Sequence, residues 1–230
     1  MNPVRIETLD HVALWVGDRD ELAEFAVRHL GMHVIDRTEK FTLVGSDARR
    51  GKLTLFAAEG ERAPGPLARV GLRVRDLDEA LEALPADLTV ERANGLATFG
   101  GPQRLGLALA EDPDVAVDYD LDHVLFRVAE PSRTFEELLG LGFGETSGRL
   151  RAGESWIDFE RGEPEESGAP LLNHLGLRVE SAGNHLAEAE RRGLEIVDVV
   201  DGANTYAVFV QGPDGIRLEY VEHKATFSLV

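Results

Sequence analysis

Cysteine is absent from the 230 residues. That excludes disulfides, thiolate nucleophiles and cysteine metal sites, so any metal must be held by imidazole and carboxylate. Lysine is scarce: Lys40, Lys52 and Lys224 stand alone among the arginines. No apolar run exceeds the length of a strand, far short of the ~20 residues a membrane helix needs. The opening MNPVRIETLD has no apolar stretch of the kind a secretory signal carries. Positive charge is outweighed, with 24 Lys and Arg against 42 Asp and Glu and a net charge of −18. A surface this acidic repels nucleic-acid phosphates and anionic lipid. These deficits predict a cytoplasmic protein that binds small molecules and neither nucleic acid nor membrane. Assembly as a monomer or a homo-oligomer is left open.

What the chain does contain is a repeat. The strand His11-Val-Ala-Leu-Trp-Val16 returns as Arg69-Val-Gly-Leu-Arg-Val74, His123-Val-Leu-Phe-Arg-Val128 and His174-Leu-Gly-Leu-Arg-Val179. Each copy is followed by an amphipathic pattern with apolar residues three and four apart, the mark of a helix covering a sheet. These helical stretches begin at Arg19, Leu77, Ser132 and Ala182. Asp18, Asp76 and Ser132 suit N-caps, and Gly31, Gly140 and Gly193 suit left-handed helix ends. Each unit closes on a related strand: KLTLF (52–56), RLGLA (104–108), WIDF (156–159) and RLEYV (217–221). The unit is therefore one strand, one helix and several short strands, in four copies. The stretch EDPDVAVDYD (111–120) reads as a linker, placing a boundary near Pro113.

With LDHVALWVGDRDELAEF and HLGM in the first unit, and NHLGLRV and YAVFVQGPDGIRLEYVE in the last, the chain resembles the vicinal oxygen chelate superfamily. That superfamily takes in glyoxalase I, fosfomycin-resistance proteins and type I extradiol dioxygenases. The resemblance spans nearly the whole chain, and four units look most like a two-domain extradiol dioxygenase. It implies an α+β fold of four βαβββ modules paired into two domains, 1–112 and 113–230. Each domain would be a cup-shaped, mostly antiparallel sheet with helices outside.

Alternate residues of a strand share a face. His123 then points with Leu125 and Arg127, His174 with Gly176 and Arg178, and Glu219 with Arg217. Two imidazoles and a carboxylate form the facial triad of non-haem iron sites. The resemblance places His123, His174 and Glu219 on the family's ligand positions for a two-domain extradiol enzyme. Fe(II), or Mn(II), is the metal this implies, with dioxygen and a catechol-like aromatic molecule as substrates.

The first two units present Thr54 and Gly106 where the last presents Glu219, and Arg69 replaces a histidine in the second. On that basis His11 reads as structural and the site lies in the C-terminal half. Asp158 aligns with Glu219 in the third unit and is either a fourth ligand or a group that orients one. No histidine falls between His123 and His174, where the resemblance implies an acid–base residue, so Tyr206 and His223 are the candidate catalytic groups. Trp156, Phe209 and Tyr220 are candidate walls for an aromatic substrate. Gly31 separates His29 from His33 and argues against a helical metal pair, and His185 reads as solvated. Two further readings stay open: a lyase or isomerase with a redox-inert metal and Asp158 as fourth ligand, or a non-enzymatic ligand-binding or resistance protein.

Overall fold

The computed structural model describes residues 5–165 and 169–230. Four βαβββ modules follow one another. The first comprises β1 (Ile6–Val16), α1 (Arg19–His29), β2 (His33–Arg37), β3 (Phe41–Asp47) and β4 (Arg50–Ala57). The second is β5 (Leu67–Val74), α2 (Leu77–Glu82), β6 (Glu91–Ala93), β7 (Leu96–Gly100) and β8 (Gly106–Glu111). The third runs through β9 (Asp120–Val128), α3 (Pro131–Leu139), β10 (Gly144–Thr146), β11 (Arg149–Ala152) and β12 (Ser155–Arg161). The last holds β13 (Leu172–Val179), α4 (Ala182–Arg192), β14 (Ile196–Asp201), β15 (Thr205–Gln211) and β16 (Arg217–His223).

The helices start where a side chain can satisfy the free amides of the first turn. Asp18 accepts from the amides of Asp20 and Glu21, Asp76 from that of Glu79, and Ser181 from that of Asn184. Ser132 does not cap α3: Glu130 occupies the cap position without a side-chain bond and Pro131 opens the helix. Proline needs no amide partner there, which removes the demand for a capping hydroxyl. Gly193 ends α4 at φ +66°, whereas Gly140 stays right-handed at φ −62°. One face of each opening strand is apolar. Val12, Leu14 and Val16 on β1, and Val124, Phe126 and Val128 on β9, join the helices' Leu22, Ala26 and Leu138 in one buried cluster shared by both sheets. No helix among the described residues is long and apolar enough to cross a membrane.

The modules pair in an order that the repeat alone does not announce. The first sheet runs β14-β15-β16-β13-β1-β4-β3-β2 and the second β10-β11-β12-β9-β5-β8-β7-β6. Module one thus pairs with module four, and module two with module three, correcting the expected pairing of neighbours within 1–112 and 113–230. Residues 112–119 connect two strands of the same sheet and do not separate two cups. The crossings between sheets leave from β4 and from β12, and among their described residues 62–65 meet 165 and 169–171. These lie side by side, with the Ala63 amide donating to Ala169 O at 3.2 Å and the Leu171 amide to Ala63 O at 2.7 Å. The two crossovers thus meet at Ala63.

The opening strands pair antiparallel across each sheet's centre, His11 opposite Gly176 and His123 opposite Gly71. Both glycines are required there. A Cβ on Gly176 would lie 2.2 Å from the His11 ring, and one on Gly71 would lie 2.2 Å from the His123 ring.

Because the chain lacks native thiols, the pairing can be read by cross-linking. Thr8 stands opposite Arg178, so the double variant Thr8→Cys/Arg178→Cys closes an intramolecular disulfide on oxidation. The control Thr8→Cys/Arg73→Cys, which neighbouring-module pairing would favour, stays reduced. Non-reducing electrophoresis and peptide mapping separate the two.

Candidate metal centre

Three polar side chains meet on the concave face of the first sheet: His11 from β1, His174 from β13 and Glu219 from β16, all buried. His11 Nε2 and His174 Nε2 stand 3.0 Å apart. Each lies 2.9 Å from the same oxygen, Glu219 Oε2. The donors make a nearly equilateral triangle. Donors on one face of an octahedron with bonds of ~2.1 Å stand about 3.0 Å apart, against ~3.4 Å for a tetrahedron. The donor set and its spacing fit a divalent cation on an octahedral face, the two-histidine, one-carboxylate arrangement.

The histidines are held from behind. His11 Nδ1 donates to Asp10 Oδ1 at 2.8 Å, and His174 Nδ1 donates to Asn173 Oδ1 at 3.0 Å. With Nδ1 committed outward, the neutral rings turn their Nε2 lone pairs toward the centre, as metal-ligating histidines do. Asp10 is buried and carries the buried Lys52 Nζ at 2.8 Å. His223 Nε2 approaches its other oxygen at 3.0 Å, too obliquely for an aligned hydrogen bond. Phe227 stacks on His223 with ring centres 4.4 Å apart, so the chain's end closes this side of the site.

Charge around the site is closely coupled. Burial pushes the Asp10 carboxyl up, but Lys52, His11 and His223 outweigh it and hold the group well below its usual range. Burial likewise opposes ionisation of Glu219, yet the two imidazoles bring its pKa down to about 2. His11 is driven down by burial and more strongly up by Glu219 and Asp10, reaching about 9. His174 is lowered, chiefly by burial. In the metal-free chain at neutral pH, a proton on His11 therefore stands in for part of the missing positive charge.

The structure separates several residues that the sequence grouped together. His123 lies in the second sheet, with Nδ1 donating to Asp122 Oδ2 at 2.7 Å and Nε2 accepting from Arg69 Nε at 3.2 Å. It is not part of the cluster that His174 and Glu219 form, and His11 takes the expected place. Asp158 is in the second sheet too, bound by both Arg149 Nε (2.9 Å) and Nη2 (2.6 Å), and so is no fourth group at this centre. The residue equivalent to Glu219 in module two is Ala108, opposite Gly71, and not Gly106. Tyr206 alternates with Phe209 and packs on the helix-side core, away from the triad. His223 reaches Asp10 rather than the centre. Of the expected walls, Phe209 meets the His174 ring edge-on at 5.1 Å. Trp156 belongs to the other sheet, and the buried Tyr220 hydroxyl donates to Leu141 O at 2.6 Å. His185, expected in solvent, is buried against Tyr220 with ring centres 4.4 Å apart.

Residues 8–114 match the family model described as Glyoxalase/Bleomycin resistance protein/Dioxygenase superfamily. That stretch holds nearly all of the first two modules. Solved structures of the same shape include a "putative dioxygenase" from Bacillus subtilis, 18% identical, with a TM-score of 0.76 over 97% of this chain and 87% of that one. Glyoxalase I from Zea mays is 16% identical, with a TM-score of 0.70 over 94% of this chain and 92% of its own. The cppA protein from Streptococcus pneumoniae is 15% identical, with a TM-score of 0.63 over 96% of this chain and 99% of its own. At these identities the likeness speaks to fold and not to chemistry. No curated protein matches the chain.

The coupling of His11 carries a sign. Its folded pKa of about 9 stands above the ordinary 6.5, so protonation stabilises the metal-free fold fully below pH 6.5, and that contribution is lost as pH rises through 9. Melting of chelator-treated protein falls across this window, and the alkaline fall is flattened in His11→Gln. Metal affinity moves oppositely, tightening about tenfold per pH unit as the competing proton leaves. Calorimetric melts and metal titrations at matched pH test both limbs.

Proposed function

We propose that His11, His174 and Glu219 hold one divalent metal, Fe(II) by preference and Mn(II) as the alternative. The protein then acts as an extradiol-type dioxygenase on a catechol-like substrate. The supporting observation is that, among the described residues, the triad has no fourth histidine or carboxylate beside it. In module one the residue equivalent to Glu219 is Thr54, opposite Ala13, a neutral hydroxyl where a four-ligand site would need a carboxylate or amide. When bound, the metal supplies Lewis acidity and redox chemistry at adjacent open positions.

The chain's own residues supply the rest. Phe209 and Phe56 flank the His174 ring, with centre distances of 5.1 and 6.3 Å, and Trp15 and Phe41 back Phe56 at 5.3 and 5.9 Å. Such a wall offers flat apolar surface to an aromatic ring and keeps water from the ligand atoms. Charge favours an ionised substrate oxygen. Asp10, Lys52, protonated His11 and Glu219 sum to zero in the metal-free site. A divalent cation that displaces the His11 proton leaves one net positive charge, which an anionic oxygen of the substrate balances in this buried setting.

A second reading has its own support. Tyr206 and His223 both lie off the centre, so neither group expected to assist an oxygenase stands at the triad. A lyase or isomerase with a redox-inert metal would polarise a substrate oxygen without dioxygen.

Oxygen uptake by protein reconstituted anaerobically with Fe(II), across substituted catechols, tests the proposal. Uptake requires Fe(II) and is abolished in His11→Ala and His174→Ala, each losing metal affinity by roughly a hundredfold or more. His123→Ala retains both metal and turnover. Protein that holds one metal per chain yet consumes no oxygen would transfer the reading to the lyase or isomerase.

A further inference from the structure

The second sheet repeats the layout of the first with a different outcome. His123 lies over Gly71 as His11 lies over Gly176. Where the first cup has His174, the second has Arg69, opposite Leu125. Where the first has Glu219, the second has Ala108. His123 has no donor left for a metal, since Asp122 takes Nδ1 and the Arg69 guanidinium takes the Nε2 lone pair. The second cup has exchanged an ion held by three ligands for a covalently attached cation.

That cation is only partly engaged. Arg69 spends Nε on His123, and among the described residues no hydrogen bond or ion pair occupies its two terminal nitrogens. The nearby carboxylates have other partners: Asp158 is bound by Arg149 at two points, and Asp122 meets His123 at 2.7 Å and Arg73 at 3.5 Å. Arg151, two strands beyond β9, has Glu154 as an electrostatic neighbour and a buried, unpartnered Nε, with its guanidinium 4.8 Å from the Trp156 ring centre. In a chain of net charge −18, a guanidinium with two uncommitted nitrogens runs against the general trend.

Arg69 also lines an open cleft of about 310 Å³ with Thr98, Gly100, Gly106 and Leu107, and Glu91 stands exposed at its rim without pairing to Arg69. The volume sits at the lower end of the ~300–1,000 Å³ of small-molecule sites. The two glycines face one another across β7 and β8, so that part of the wall is backbone, with Thr98 beside it. A guanidinium with its forked donors free, beside a wall of backbone and threonine, suits a planar or tetrahedral oxyanion.

We propose that the second cup is a ligand site distinct from the metal centre, in which Arg69 binds the carboxylate or phosphate group of a small molecule. The site needs no metal. Calorimetric titration of metal-loaded protein with benzoate, inorganic phosphate and uncharged benzamide tests it at constant ionic strength. Benzoate or phosphate gives one saturable event per chain, and the stronger of the two identifies the class. Benzamide gives none. The event persists in His174→Ala, which separates it from chelation at the metal centre. It weakens about tenfold or more in Arg69→Gln. Gly100→Leu, placed where a Cβ meets nothing within 4 Å, fills the cleft while keeping the charge and weakens binding likewise. Absence of saturable binding by both anions overturns the proposal. So does binding that vanishes in His174→Ala, or that survives unchanged in Arg69→Gln and Gly100→Leu.

Discussion

The antiparallel contact between β1 and β13 is the constraint on which the rest depends. It brings His11 within 3.0 Å of His174, a residue 163 positions away in the chain. It works because Gly176 leaves the space that the His11 ring fills. Everything proposed for the metal centre follows from that crossing, since neither terminal module owns a complete donor set. Module one contributes one imidazole with its Asp10 and Lys52 support, and module four contributes the other imidazole and the carboxylate. The ends of the chain are thereby tied to each other and to the chemistry.

Burial makes this arrangement demanding. An unpaired charge in the interior is costly, and each member of the group is tolerated only because its neighbours offset it. Lys52 balances Asp10, Asp10 orients and charges His11, and His11 balances Glu219. Phe227 lies over His223, with Arg49 4.6 Å from the Phe227 ring centre, so the last residues shield the network from water. Such a chain of mutual compensation behaves as a unit, in which a change at Asp10 is felt at Glu219 through His11.

The two cups show how one scaffold reaches two ends. Three positions differ in kind: His174 against Arg69, Glu219 against Ala108, and Thr54 against Asp158. The histidine that faces a glycine is common to both, and in both the preceding acidic residue holds its Nδ1. In one cup the imidazole's free nitrogen points at other donors. In the other it points at a guanidinium, which closes it to metal.

Local order was written plainly in the chain. The period-two and period-3.6 patterns mark every opening strand and helix, because each element must bury one face, and that demand acts residue by residue. The repeat, the four modules and the inward direction of His174 and Glu219 follow from the same rule. The pairing of modules does not. All four opening strands are alike enough to accept one another, and Gly71 and Gly176 would each have accommodated either histidine. His11 and His123 carry the same local signature, Leu-Asp-His-Val, so nothing near either residue distinguishes an imidazole in the triad from one bound to arginine. The observed pairing comes with a meeting of the two crossovers at Ala63 and Leu171, a contact between segments about a hundred residues apart. Sequence by itself determined which faces are buried, since burial is a local property of pattern. Only the tertiary structure decided which histidine joins the triad, because that depends on which distant strand arrives alongside.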